Sequence, residues 1–334
     1  MKTTRRVRIT ALVALVVAIA GVVEAHGSAP RRAARPRVDK VVARIPIPPN
    51  SGALAVGEGA VWATSDAVPI LMRINPGTNT VVAHTRIASK NVCAELPGSC
   101  GEAAAGNGAL WIARVADDRV LRIDPRNNSL AVTIPVGPQP EGIATTPGAV
   151  WVVNKGGPSV SRIDPATNKV VATVRIGSAQ ACCSDHMAVA AGAGAVWVSL
   201  PSAASIVRID PGTNTVVARV HLSRQPCAFL AAGERTVWAA GGHCASSVMR
   251  INGRTNMPAG AIKGTSAPVG VAVGFGSVWV ADLDARQIVR VNPHTERIVG
   301  RLRLRGLPVR LAVGFGSLWV RDDSGRVLRI KPQR

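Results

Sequence analysis

Tyrosine is absent from this 334-residue chain, and phenylalanine occurs three times, at Phe229, Phe275 and Phe315. Recognition of unpaired bases or sugar rings by stacking needs a platform of free aromatic faces, so that mode has little to draw on here. Acidic residues are scarce as well: 19 Asp and Glu stand against 40 Lys and Arg, for a net charge of +21. No segment shows the 3.6-residue periodicity of an amphipathic helix, which excludes helical bundles and α/β folds. The one long apolar run, Ile9 to Val23, holds 15 residues, fewer than the roughly 20 needed to cross a bilayer as a helix. The cysteine and histidine spacings match no zinc signature.

The first apolar run has a different use. Lys2, Arg5, Arg6 and Arg8 precede it and Val23-Glu24-Ala25 follows, so residues 1–25 read as a signal peptide cleaved after Ala25. Arg5-Arg6 also fits a twin-arginine signal, although any basic leader looks the same, and the general export route is the preferred reading. Residues 26–37 carry only positive charge and no apolar pattern, and read as a disordered basic leader. The expectation is an exported protein, secreted or held at the cell surface, with residues 38–334 as one folded domain and no integral membrane domain.

That domain is a repeat. All seven tryptophans, Trp62, Trp111, Trp151, Trp197, Trp238, Trp279 and Trp319, sit in one local pattern typified by Val273-Gly274-Phe275-Gly276-Ser277-Val278-Trp279-Val280, at spacings of 49, 40, 46, 41, 41 and 40. An arginine follows each one, at Arg73, Arg122, Arg162, Arg208, Arg250, Arg290 and Arg329. Each repeat reads as four short strands, with Gly-x-Gly supplying positive φ for a tight hairpin and Asp-Pro-Gly-Thr-Asn a proline-initiated turn. Apolar residues on both faces, as in Val278-Trp279-Val280, suit a sheet packed between two neighbours. The last repeat ends at Arg329-Ile330-Lys331-Pro332 without a fourth strand. Asp39-Lys40-Val41-Val42-Ala43-Arg44-Ile45 matches Asn214-Thr215-Val216-Val217-Ala218-Arg219-Val220 and supplies it. The predicted fold class is all-β: a seven-bladed β-propeller of four-stranded antiparallel blades, closed by an N-terminal strand that completes the last blade.

The Gly-x-Gly-Ser/Ala-Val-Trp-Val and Arg-Ile-Asp-Pro-x-Thr-Asn-x-Val-Val-Ala repeats, over residues 38–334, resemble the YVTN-type and virginiamycin B lyase-like propellers. The resemblance implies the fold. Propellers of this group include binding proteins, a DNA-binding member and an enzyme that linearises streptogramin B antibiotics by elimination, so function has to be argued from the site. The lyases carry a Trp-Phe-Thr/Cys-Glu type run and magnesium-linked His and Glu residues near the channel mouth. The corresponding runs here, such as Trp62-Ala63-Thr64 and Trp319-Val320-Arg321, differ, and no catalytic residue is carried across.

The loops opposite Gly-x-Gly vary in length and type, with insertions at 90–102 and 177–185, and they are the expected place for binding. They hold all six cysteines: Cys93, Cys100, Cys182, Cys183, Cys227 and Cys244. In an exported chain these read as disulfides. Cys93 with Cys100 and Cys227 with Cys244 are the preferred pairs, and Cys182 and Cys183 are left to pair with each other or with neighbours. The alternative, a metal site from Cys182, Cys183, Cys227, Cys244, His186 and His243, is disfavoured, and no metal ligand is assigned. Candidate general bases on the same rim are His186 with Asp185, His243, Glu102 and Glu141, of which Asp185, His186, His243 and Glu141 form the expected ligand-binding rim. The simpler reading makes His186 a satisfied histidine at the start of an inner strand, and Glu102 and Glu141 solvated turn charges.

Without residues 1–25 the charge is +18, which attracts polyanions. Yet 33 of the 40 basic residues are arginine, seven of them at the repeated position. Arg301, Arg303, Arg305 and Arg310 form the densest cluster and are expected on one outer face, as a charged edge strand. The functional expectation is a monomeric exported binding protein whose rim takes an unidentified ligand or protein partner. The alternatives are a channel-mouth lyase or hydrolase, with a divalent metal such as magnesium as cofactor, and a polyanion binder.

Overall fold

The computed structural model describes residues 39–50, 52–65, 68–88, 101–177 and 186–333. The expected signal peptide and leader, Asp185, and Cys93, Cys100, Cys182 and Cys183 lie outside these. The described chain forms seven four-stranded antiparallel sheets. In six of them strand order follows chain order, and in the seventh Lys40–Pro46 pairs with Arg326–Lys331 to complete the blade. Each inner strand packs against the inner strands of the blades on either side, with blade 7 (Pro308–Gly314) meeting blade 1 (Leu54–Gly57), so the ring is closed. Helix is confined, among the described residues, to two 3-10 turns, Val115–Asp117 and Pro201–Ala203. None of their helices is long and apolar enough to cross a membrane.

The repeat motif explains how neighbouring blades hold together. Every tryptophan is buried to within 1% of full burial, between its own blade and the next. In six blades its indole N–H donates to the residue five positions earlier, as in Trp197 to the Gly192 carbonyl at 3.0 Å. The repeated arginine lies over that indole at 5.0 to 5.7 Å, a cation–π contact. It then reaches into the next blade. Arg122, Arg162 and Arg208 donate to the Oδ1 atoms of Asn168, Asn214 and Asn256, Arg250 to Glu296, and Arg329 to Asn79. Arg290 reaches Asp39, which stands where five of the other blades place an asparagine. These asparagines also turn the chain through the left-handed region, at φ between 57 and 60°, which Asn tolerates better than most residues.

The two glycines of Gly-x-Gly do different jobs, where the sequence suggested one. The second takes φ of 65 to 75° in the hairpin, as at Gly276 and Gly59. The first is needed for space: a Cβ at Gly274 would meet Val313 Cγ1 of the next blade at 2.6 Å.

All seven outer strands carry a register shift at the same place, opposite the arginine step. The extra residue is Val42, Val82, Ala131, Val171, Val217, Ala259 or Val299, and each is exposed on the free edge. Such bulges twist and interrupt a strand edge.

Candidate functional site

One position in the repeat, nine residues before the tryptophan, opens onto the upper mouth of the central channel. Around the ring it reads Ala53, Glu102, Gly142, Ala188, Phe229, Gly270 and Arg310. Small residues fill four of the seven positions because the inner strands crowd together. At Gly142 a Cβ would meet the Met187 carbonyl oxygen at 2.8 Å. The three large residues, with Glu141 and His186 from the adjoining positions of blades 3 and 4, form one cluster.

His186 is its centre. Its Nε2 lies 2.9 Å from Glu102 Oε1 and its Nδ1 3.0 Å from Glu141 Oε1. Glu141 Oε2 accepts the Met187 backbone N–H at 2.9 Å, and Lys155 Nζ approaches Glu141 Oε1 at 3.9 Å. The imidazole leans on the Phe229 ring, centroids 4.5 Å apart, and the Arg310 guanidinium covers that ring at 3.8 Å. Side-chain exposure is 18% for His186, 14% for Glu102 and 15% for Glu141, so the two glutamates are packed partners of the histidine and not solvated turn charges.

The electrostatics follow from this geometry. Burial works against a charged His186, but the Glu141 charge and the hydrogen bonds that the imidazolium donates to both carboxylates outweigh it and raise the pKa to about 9. For Glu141, burial pushes upward, while the His186 charge and hydrogen bond, Lys155 and the Met187 N–H hold the carboxyl below its ordinary value. The two shifts favour the imidazolium form of His186 beside the carboxylate of Glu141 at neutral pH. A histidine in that state can donate a proton, the role of a general acid.

Beside the cluster lies a cavity of about 130 Å³, bounded by Glu102, Phe229 and Arg310 with Ala53 and Gly270. That volume takes one functional group, well short of the ~300 Å³ or more of a site that engulfs a whole small molecule. A magnesium ion does not fit this donor set. Three of the four oxygens of Glu102 and Glu141 are already engaged, two by His186 and one by Met187, and the imidazolium repels a cation. Among the described residues no group of three or more His, Cys, Asp and Glu is disposed to hold a metal.

Cys227 and Cys244 are bonded to each other, with Cα atoms 6.0 Å apart, so neither is free for a metal. The bridge ties the entry to blade 5, two residues before Phe229, to the loop between its second and third strands. His243 is exposed on that loop. Arg310 is a further correction. It sits on the inner strand of blade 7, because the chain turns at 304–307 from the outer strand, where Arg301 and Arg303 are exposed, to the channel. Phe229 and Arg310 were not singled out as site residues. Registering the seven repeats on their tryptophans would have found both.

No protein-family model and no curated protein matches the chain. Solved structures do resemble it. Virginiamycin B lyase from Staphylococcus aureus superposes with a TM-score of 0.72 at 13% identity, over 88% of this chain and 100% of that one. Hydrazine synthase from Kuenenia stuttgartiensis gives 0.69 at 12%, over 85% and 96%. The Pan2 WD40 domain from Neurospora crassa gives 0.69 at 10%, over 90% and 97%. At these identities the likeness is one of fold, and the three names share no activity.

Proposed function

We propose that this chain is an exported recognition protein that takes a polar group of its ligand at the upper channel mouth and spreads the rest of the contact over the variable rim loops. The observation that carries this reading is convergence. Glu102, Glu141, His186, Phe229 and Arg310 depart from the repeat, come from five different blades, and meet at one point. Elsewhere the inner strands carry no charged residue. Glu102 lines the cavity and keeps one carboxylate oxygen clear of His186, so the group received is a hydrogen-bond donor such as an amine or hydroxyl. Export is supported by the N-terminal pattern of residues 1–25 and by a disulfide that needs an oxidising compartment to persist.

The test is to isolate the secreted chain and identify retained small molecules by native mass spectrometry. Glu102→Gln and Phe229→Ala are expected to release what the wild type holds, and Arg126→Ala, on the far rim, to keep it. Retention unchanged in both mouth variants would remove the site from this reading.

A second reading, an eliminating lyase, is favoured by the fold shared with virginiamycin B lyase and by a proton-donating histidine in the mouth. It requires a base to abstract the substrate proton, and the one uncommitted oxygen of Glu102 is the group available. The two readings separate on incubation with a cyclic depsipeptide. Ring opening that disappears in His186→Gln and Glu102→Gln supports the lyase, and an intact depsipeptide with the wild type excludes it for that substrate.

A further inference from the structure

On the lower rim, where the turns otherwise repeat, blade 5 departs from its siblings in two places at once. Three residues before the tryptophan, six blades place a glycine, Gly59, Gly108, Gly148, Gly194, Gly276 or Gly316, and blade 5 places Arg235. Its later turn, Asn252-Gly253-Arg254-Thr255-Asn256, has Gly253 where the other such turns have proline. The two changes are coupled: the Gly253 N–H donates to the Arg235 carbonyl at 2.9 Å, a bond that proline cannot make. The rebuilt corner borders a cavity of about 520 Å³ lined by Arg235, Thr236, Arg250, Asn252, Arg254 and His294.

The charge in this cavity is one-sided. Arg250 is paired with Glu296 at 2.8 Å and stacked on Trp238. Arg235 and Arg254 are exposed, and their guanidinium groups make no hydrogen bond or ion pair to any described residue. Glu234, next to Arg235, is not part of the lining. Blade 2 provides an internal comparison, because Arg126 occupies the turn position of Arg254. There Asp124 holds the guanidinium at 2.7 Å, and the hydrogen bonds from Arg126 pull the Asp124 carboxyl down to about 2. Blade 5 has Asn252 in place of that aspartate. Its Oδ1 is taken by the backbone N–H groups of Arg254 and Thr255, at 2.9 and 3.1 Å, which leaves Arg254 without a counter-charge.

We propose that this corner of blade 5 binds a phosphate group between Arg235 and Arg254, with Thr236 and His294 as additional hydrogen-bonding partners. Guanidinium groups match tetrahedral phosphate oxygens in pairs, and the cavity has room for a sugar or polymer segment attached to the phosphate. The site is separate from the upper mouth and stands whether or not that mouth is a binding site. The phosphate comes either from a small phosphomonoester or from a polyphosphate or phosphodiester chain.

Calorimetric titration of the full chain at low ionic strength, with inorganic phosphate and with polyphosphate as probes, tests the site. Arg235→Ala combined with Arg254→Ala is expected to weaken binding about tenfold or more. Asn252→Asp restores the aspartate of blade 2 and is expected to do the same with every arginine in place. It also decides the matter alone if the double variant fails to fold. Arg126→Ala serves as the control and is expected to bind as the wild type does. Affinity that rises with chain length and falls steeply with salt identifies a polymer, and equal affinity per phosphate a small ligand. Wild type that binds neither probe, or binding unchanged in Asn252→Asp, overturns the proposal.

Discussion

His186 carries its charge because two carboxylates were brought to it by two other blades, and that dependence sets how stability responds to pH. The folded pKa of about 9 exceeds the ordinary histidine value of 6.5. The stabilisation is therefore complete below about 6.5 and is lost as pH climbs through about 9. Glu141 is shifted down, so its contribution is present above its unfolded pKa and is lost on acidification. Urea midpoints measured across pH are expected to fall on the alkaline side in the wild type and to flatten there in His186→Gln. An imidazole titrating near 6.5 by NMR would contradict the triad. The sequence shows these residue types on one rim. It cannot show that Glu102, Glu141 and His186 touch, because contacts across blades depend on ring geometry and not on spacing along the chain.

At the scale of the strand and turn, the repeated arginine has two faces, one on its own tryptophan and one on the asparagine of the following blade. Replacing Arg208 by alanine removes a cation–π contact and the hydrogen bond to Asn256, and is expected to cost about 1–3 kcal/mol in urea unfolding. Arg303→Ala, at an exposed outer position, is expected to change stability by less than about 0.5 kcal/mol. The junction of blades 1 and 2 is weaker in this respect. Asn128 Oδ1 is buried without a partner, and Thr85 Oγ1 donates to the Asn128 carbonyl at 2.5 Å instead. Reduction of Cys227–Cys244, which are 17 residues apart, is expected to cost roughly 3 kcal/mol and to loosen the Phe229 side of the mouth. Strands and turns were legible in the sequence because tryptophan, glycine and asparagine recur at fixed offsets. The separate task of the first glycine was not, since the atom it avoids belongs to another repeat.

For the whole molecule, one clasp joins the two ends of the described chain. Asp39 accepts from Arg290 at 3.1 Å and from the Gln333 N–H at 3.0 Å, so three parts of the ring meet on one carboxylate. Asp39→Ala leaves Arg290 in a mostly buried place without its acid and is expected to cost about 3 kcal/mol or more. Asp39→Asn, which installs the residue other blades use, is expected to cost far less, and comparison of the two urea midpoints checks it. Closure was legible because a missing strand at one end matched a spare one at the other. The blade 5 corner on the lower rim was not, because turns that look interchangeable in sequence differ in whether a neighbouring aspartate neutralises their arginine.

The seven outer bulges bear on how this protein behaves in a crowd. A foreign strand aligning itself with any outer edge meets a dislocation at the same height on each blade, at Val42, Val82, Ala131, Val171, Val217, Ala259 or Val299. Pairing cannot run past that point without the newcomer dislocating too. Each outer edge therefore offers a foreign strand only short runs of regular backbone on either side of the bulge, which disfavours edge-to-edge pairing between copies.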